Sequence, residues 1–536
     1  MTAAAFAPAF AAPKPKTNKW LVTLSVTFGT LMGAIDSSIV NVALPHIRGA
    51  VGATVQEITW ISTGYAVALV LVMPLTAFLA RLFGQKRVYV SCLALFILGS
   101  ALCGTAHSLT SLVVFRAFQG FGAGALQPTE QAILRQTFPP REQGMAMALF
   151  SMAVMLGPAV GPTLGGYIVD HYSWQWIFYI NVPVGILGLT MVTTFVQEDE
   201  EIRLANRALA EEQRKNVDWW GIGLMCVGLS SLQYFLEEGQ RDDWFQSRTI
   251  TACFFVAIFT LAAFVIRELT ARVPAVNLRL FKDPVFLSGT VLGGVMFAML
   301  MANMFLLPLF MQELLGFTAT QSGLALMPRV LVMMLFVPIV GKLYNRVSPR
   351  LFIGVGILCF MVSSYSLSHL TLESGSADIV SALLIQGFAF ALLFVPLTTV
   401  ALTSIPRHKM ADATGLNSLV RQTGGAIGLA LFATLLERYT VEAHADLSNH
   451  IVNTRPVVLS RLGMMEHGLM ARGMDAVSAH TASLGAMAGT VARQAMVLAY
   501  DRTFIVSGVA FLFALPLLIF LKTVRAEGSA PELHLD

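Results

Sequence analysis

Long apolar blocks of about 20 residues, separated by short polar segments, recur along the whole 536-residue chain. A helix rises 1.5 Å per residue, so about 20 residues cross a hydrocarbon layer of ~30 Å. Fourteen blocks fit: 20–43, 57–80, 88–106, 112–134, 145–168, 176–196, 217–236, 249–267, 285–311, 322–341, 350–369, 379–402, 414–436 and 502–522. In lipid each segment must satisfy its own backbone N–H and C=O groups, so every block is expected to be a helix. The pattern predicts an all-α integral membrane protein.

Composition agrees. Hydrophobic residues make up 56% and charged residues only 12%, against roughly 25% in soluble domains. The five cysteines lie in apolar runs without a CxxC pair, so they read as small buried hydrophobes rather than a disulfide framework or zinc site. At the N-terminus Lys14, Lys16 and Lys19 follow the Ala-rich stretch instead of preceding it. A secretory signal has the opposite order, so residues 1–19 read as a tail.

The placement of basic residues predicts the topology. With the N-terminus inside, the cytoplasmic tails and short loops hold 23 of the 35 Lys and Arg, and the short outer loops hold three. Both ends are therefore expected in the cytoplasm. Residues 197–216 form a linker of mixed charge, and 437–501 form a long outer loop. The chain also repeats itself. Gln119-Gly120-Phe121 recurs as Gln386-Gly387-Phe388 at an offset of 267 residues, and Pro140-Arg141 recurs as Pro406-Arg407 at 266. The basic loop after Ala77-Phe78-Leu79 recurs after Gly341-Lys342-Leu343 at 264. The expected organisation is a six-helix half (20–196), the linker, two inserted helices (217–267), a second six-helix half (285–522) and a tail (523–536). Such halves around a midplane cavity are a transporter architecture.

Several motifs resemble one family. Ile35-Asp36-Ser37-Ser38-Ile39-Val40-Asn41-Val42-Ala43-Leu44-Pro45 looks like a first-helix motif, Arg116-Ala117-Phe118-Gln119-Gly120 an RxxQG element, and Gly157-Pro158-Ala159-Val160-Gly161-Pro162-Thr163-Leu164-Gly165-Gly166 an antiporter motif. Trp176-Ile177-Phe178-Tyr179-Ile180-Asn181-Val182-Pro183 is similar to the start of a sixth span. In this order they resemble the fourteen-span drug:proton antiporters of the major facilitator superfamily, closest to the EmrB-type multidrug exporters. The resemblance implies alternating-access efflux of small hydrophobic compounds across a bacterial inner membrane. It implies energy from the proton gradient with no cofactor, and a periplasmic EmrA-like adaptor and TolC-like outer-membrane channel as partners. One departure stands out. Where the superfamily loop reads GxLADRxGR, this chain has Ala77-Phe78-Leu79-Ala80-Arg81-Leu82-Phe83-Gly84-Gln85-Lys86, with Arg81 at the acidic position, followed by Arg87. The second copy has Asn345 and Arg346. An aspartate-centred charge switch within these loops is therefore not expected.

Asp36 is the only acid in the first span and Arg116 the only base in the outer half of the fourth. A carboxylate there costs about 2.5–3.5 kcal/mol unless paired or protonated. The two lie at comparable depth and are the candidate proton-coupling pair. Gly157, Gly161 and Gly165 share one helix face, allowing a close neighbour; Pro158 and Pro162 allow a bend, and with Gly166 these form a candidate gate. Asn41, Gln119, Gln127, Arg329, Gln386 and Arg421 are candidate cavity residues. Charges within spans are functional candidates, and a cation such as Arg329 would favour anionic or weakly acidic substrates or would pair with a carbonyl. Glu130, near the inner end of the fourth span, is expected at the interface. The 25 Met and 36 Phe suit an adaptable pocket.

Other classes fare worse. All ten histidines fall in loops, tails or span ends, and neither a phosphate loop nor an acidic metal cluster appears, which disfavours an embedded enzyme. An importer or a receptor on the same fold stays open. In the outer loop, helix is expected to run unbroken from Thr490 towards Leu521, about 48 Å, which exceeds the membrane core and leaves a turn or more exposed as a docking surface or a lid.

Overall fold

The computed structural model describes residues 18–198, 200–452 and 454–521. Most of the two expected tails lies outside the described residues. Among the described residues thirteen helices are long and apolar enough to cross a membrane, and a bent pair makes a fourteenth. In chain order the spans are Lys19–Val51, the pair Gln56–Val72 and Thr76–Phe83, Gln85–Gly104, Leu109–Thr137, Pro140–His171, Trp176–Phe195, Trp219–Glu238, Arg248–Thr270, Pro284–Glu313, Thr320–Leu343, Pro349–Leu367, Ser376–Val400, Arg407–Ser448 and Ala476–Phe520. They are called spans 1 to 14 below. The described ends of the chain lie at one end of the bundle, here the basic end; the opposite end is the far end.

Local chemistry sets many boundaries. Asn18 caps span 1 by accepting from the Trp20 amide, and Gly52 ends that helix in the left-handed conformation at φ 66°. Spans 4 and 10 start at capping boxes built on Ser108 with Ser111 and on Thr318 with Gln321. Span 2 bends by 56° across Met73-Pro74-Leu75, where proline cannot donate to the helical ladder. Span 5, which carries the proline pair, is helical without a break from Gln143 to His171. Gly84 separates spans 2 and 3 at φ 90°, a left-handed backbone conformation that strains any residue with a Cβ.

The two halves repeat each other. Spans 1 and 5, 2 and 4, and 3 and 4 pack together in the first half; spans 9 and 13, 10 and 12, and 11 and 12 do so in the second. A Cβ on Gly120 would meet the Tyr65 carbonyl at 2.5 Å, and one on Gly387 would meet the Arg329 carbonyl at 2.4 Å. The duplicated glycine brings the backbones of spans 4 and 12 onto spans 2 and 10. Spans 7 and 8 pack on each other, with span 7 also against span 2. The linker carries a helix, Glu200–Lys215.

The expected long outer loop is mostly helix. Span 13 runs on to Ser448, a separate helix spans Pro456–Met470, and span 14 begins at Ala476. Span 14's α-helix ends at Leu512, nine residues before the expected Leu521, where a 3-10 turn over Leu515–Phe520 takes over. Its 37 residues extend about 55 Å, far beyond a ~30 Å core. The extra turns lie at the far end.

Spans 1 and 5 approach each other closely. A Cβ on Gly157 would sit 2.3 Å from the Ala34 Cβ, on Gly161 1.8 Å from the Ser38 Oγ, and on Gly165 2.8 Å from the Ile39 Cγ1. Gly166 faces open space. Gly161→Val is expected to destabilise the fold by at least about 1–3 kcal/mol through overpacking, while Gly166→Ala should be close to neutral. Melting of the two variants in detergent against the wild type checks this; equal melting temperatures would contradict the packing.

Candidate functional site

Asp36 lies at the centre of a hydrogen-bond network and is fully buried. Its Oδ2 accepts from Arg116 Nη1 at 2.6 Å, and its Oδ1 accepts from Gln119 Nε2 and Asn181 Nδ2, both at 2.9 Å. Arg116 Nη1 also donates to Gln119 Oε1 at 2.7 Å, and Asn181 donates to Ser100 Oγ at 3.1 Å. The Arg116 guanidinium lies over the Tyr65 ring, 4.1 Å from its centroid. Spans 1, 2, 3, 4 and 6 thus meet at one carboxylate. Sequence reasoning paired Asp36 with Arg116 and named Gln119 only as a cavity residue. It missed Asn181, Ser100 and Tyr65; the only available signal was the position of Asn181 in the Tyr179-Ile180-Asn181-Val182-Pro183 motif.

Every group facing Asp36 is a donor, which suits a carboxylate acceptor. The state of this one carboxylate is thereby tied to the relative positions of the spans that meet at it.

The second half carries the same polar chain without an acid. Asn303 lies 267 residues after Asp36, the same interval that separates Gln386 from Gln119. Gln386 donates to Asn303 Oδ1 at 3.1 Å and accepts from Arg329 Nη1 at 3.1 Å. Arg329 is buried and engaged by this amide. The repeat preserves the shape of the network and removes its titratable group.

The remaining candidates are dispersed. Asn41 is exposed on the far-end side of Asp36 and accepts from Ser62 Oγ at 3.1 Å. Gln127 is partly exposed. Gly157, Gly161 and Gly165 face span 1, Pro162 is partly exposed, and the side chain of Pro158 lies outside the described residues. Glu130 is not interfacial as expected: it is fully buried and accepts from Thr27 Oγ1 at 3.0 Å, because span 4 packs on span 1 along its inner half. Arg421 is fully buried, with Phe297 and Phe394 ring centroids 4.6 and 4.8 Å from its guanidinium.

The two halves meet at the basic end. Arg81 Nη1 donates to both oxygens of Asp412 on span 13, at 2.7 and 2.8 Å, and Arg81 Nε donates to Gln213 of the linker helix at 2.9 Å. The acid absent from the span 2–3 loop is thus supplied by the opposite half. Arg407 donates to the Gln136 carbonyl at 3.0 Å, and Asn345 donates to the Arg141 carbonyl. Lys86 donates to the Thr193 carbonyl at 2.7 Å, within its own half, while Arg87 and Arg346 are exposed. At the far end the hydrogen bonds found among the described residues join the halves indirectly, through the turn between spans 7 and 8. Glu238 accepts from Thr63 Oγ1 at 2.9 Å in the first half, and Trp244 Nε1 donates to Thr434 Oγ1 at 3.1 Å in the second. Asp243 and Trp244 in this turn have φ values of 54° and 51°, and such strain in non-glycine residues marks an imposed conformation. The basic end is closed in this structure.

Two repeated halves clamped over a buried polar centre define an integral-membrane transporter. Residues 26–429 match the Major Facilitator Superfamily, and the chain belongs to that family of transporters, which are not enzymes. The chain is 32% identical to the multidrug export protein EmrB of Haemophilus influenzae over 94% of this chain and 95% of that protein. It is 33% identical to EmrB of Escherichia coli over 95% and 96%, respectively. The solved proton:xylose symporter XylE shares the fold, with a TM-score of 0.59 at 12% identity, covering 94% of this chain and 99% of that one.

The Arg81–Asp412 pair is only 7% exposed on each side. Removing one partner of a buried pair costs about 3–5 kcal/mol by stranding the other charge. Asp412→Arg is expected to open the basic end, and Arg81→Asp combined with Asp412→Arg to restore closure. Labelling of single cysteines placed at Gln136 and His408 reads this out; failure of the double swap to reduce labelling would remove the latch role.

Proposed function

We propose that this protein is a proton-coupled multidrug exporter that moves small hydrophobic compounds across the bacterial inner membrane by alternating access. The basic end is the cytoplasmic end and the far end is periplasmic, as the excess of Lys and Arg at one end supports. The observation that carries the coupling is the Asp36 network: one carboxylate, buried in the spans, held by three donors from two other spans. Proton arrival from the periplasm loosens those bonds and frees the halves to rock; release on the cytoplasmic side rebuilds them. Glycines 157, 161 and 165 keep span 5 against span 1, so that span 1 and Asp36 move with it. EmrB of two bacteria is named as a multidrug export protein, which supports drugs as the cargo.

Asp36→Asn keeps the shape and removes the titration. It is expected to insert and fold as the wild type does, yet to lose pH-driven efflux by tenfold or more in inverted vesicles. Retention of full efflux by a well-expressed variant would refute the coupling role.

We further propose that the far-end helices dock a periplasmic adaptor of the EmrA type, itself joined to an outer-membrane channel of the TolC type. The helix Pro456–Met470 and the overhanging turns of spans 13 and 14 provide the surface, with Val457 and Val477 each 77% exposed. Apolar side chains at such exposure suit a protein partner. Replacing residues 449–475 with a short turn is expected to abolish adaptor pull-down while transport in vesicles persists. Unchanged pull-down would rule out this docking surface.

A further inference from the structure

Four arginines are fully buried in the spans: Arg116, Arg135, Arg329 and Arg421. The first three donate to Asp36, Gln143 and Gln386, respectively. Arg421 differs. All three of its side-chain nitrogens lack a hydrogen-bond partner among the described residues.

Its neighbours on the same helix face are in the same condition. Asn417 lies four residues before it and Ser418 three, positions that stack on one side of a helix. Asn417 Nδ2 and Ser418 Oγ are also buried without partners. Phe297 and Phe394 cover the guanidinium from spans 9 and 12, at 4.6 and 4.8 Å, and Phe150 approaches from span 5 at 5.9 Å. Contacts to aromatic faces attract the cation but leave its N–H groups, which lie at the edge, without acceptors. Opposite the side chain stands Gly293, whose absent Cβ would lie 3.6 Å from the Arg421 Cγ.

We propose that Arg421, Asn417 and Ser418 form a binding site for the carboxylate of an amphipathic organic anion, whose apolar body packs against the phenylalanines. The cluster offers a planar guanidinium fork, an amide NH₂ and a hydroxyl, a donor-rich set that matches a carboxylate. Its depth fits a transport site. Arg421 is 11 residues into the helix that starts at Met410, so it lies about 16 Å from that end, near the midplane of a ~30 Å core. Access depends on state. Phe297, Phe394 and Arg421 belong to the second half and Phe150 to the first, so opening the basic end would withdraw Phe150 and uncover the cation on the side from which cargo is loaded. The proposal rests on the efflux reading above and specifies one cargo class for it.

The test uses the full chain in phosphatidylcholine nanodiscs, measuring decanoate against methyl decanoate as the uncharged control. Wild type is expected to prefer the acid by tenfold or more, and Arg421→Gln to bring that ratio close to one. Arg421→Lys should keep part of the preference, because charge remains while the fork is lost, and Asn417→Ala should reduce it several-fold. These two variants decide the matter if Arg421→Gln does not fold. An unchanged ratio in the variants, or no preference in the wild type, overturns the proposal. Displacement of decanoate by added phosphatidylglycerol would also overturn it, assigning the site to a lipid headgroup. Efflux of neutral and cationic compounds by wild-type vesicles tests the broader reading separately. If they are exported and the acid ratio does not depend on Arg421, only this inference fails.

Discussion

A carboxylate in an apolar interior is tolerable only when its acceptor capacity is filled, and at Asp36 this demand governs the arrangement of half the molecule. Arg116, Gln119 and Asn181 must all reach one point, and that fixes the register of spans 1, 4 and 6. The close glycine face of span 5 then holds span 1 in place from the other side. In a low-dielectric setting these charge-assisted bonds are strong, and leaving any one unmade is costly. Any rearrangement at this single group therefore acts on several helices at once, which is the basis of the coupling role proposed for it.

The duplicated architecture divides labour. Both halves contain a glutamine that bonds an amide or acid on the first helix of the half, Gln119 to Asp36 and Gln386 to Asn303. With asparagine in the second copy, that network contains no acid. The arginine also comes from a different helix: Arg116 is on span 4 and Arg329 on span 10. The first half thus houses the acid of this network, while the second presents the cation Arg421, without a hydrogen-bond partner among the described residues, in a cage of phenylalanines.

Closure at the basic end relies on charges of opposite sign supplied by opposite halves. Arg81 is nearly buried against Asp412, so the pair must be separated and solvated when that end opens. Desolvation offsets much of the Coulomb attraction in such pairs, which leaves a contact that is specific in geometry without locking the molecule shut. At the far end the inserted spans reach both halves through Glu238 and Trp244. The insertion therefore bridges the two halves at that end.

Much of this was legible in the chain. The apolar block lengths gave the spans, because a helix in lipid has a required length and no alternative conformation. The offset of 267 residues between motifs gave the two halves, and the isolation of Asp36 and Arg116 among apolar neighbours marked them as a pair. The residues that complete the site were not legible. Asn181 and Ser100 are ordinary polar residues until spans 3 and 6 bring them beside Asp36, and Asp412 shows no relation to Arg81 across an interval of 331 residues. The burial of Glu130 and the bend at Pro74 were likewise hidden. Sequence determined which segments enter the membrane and which carry charge there, since those depend on local composition. Tertiary packing alone decided which of those charges meet, because a hydrogen bond between helices depends on distances that no single segment encodes.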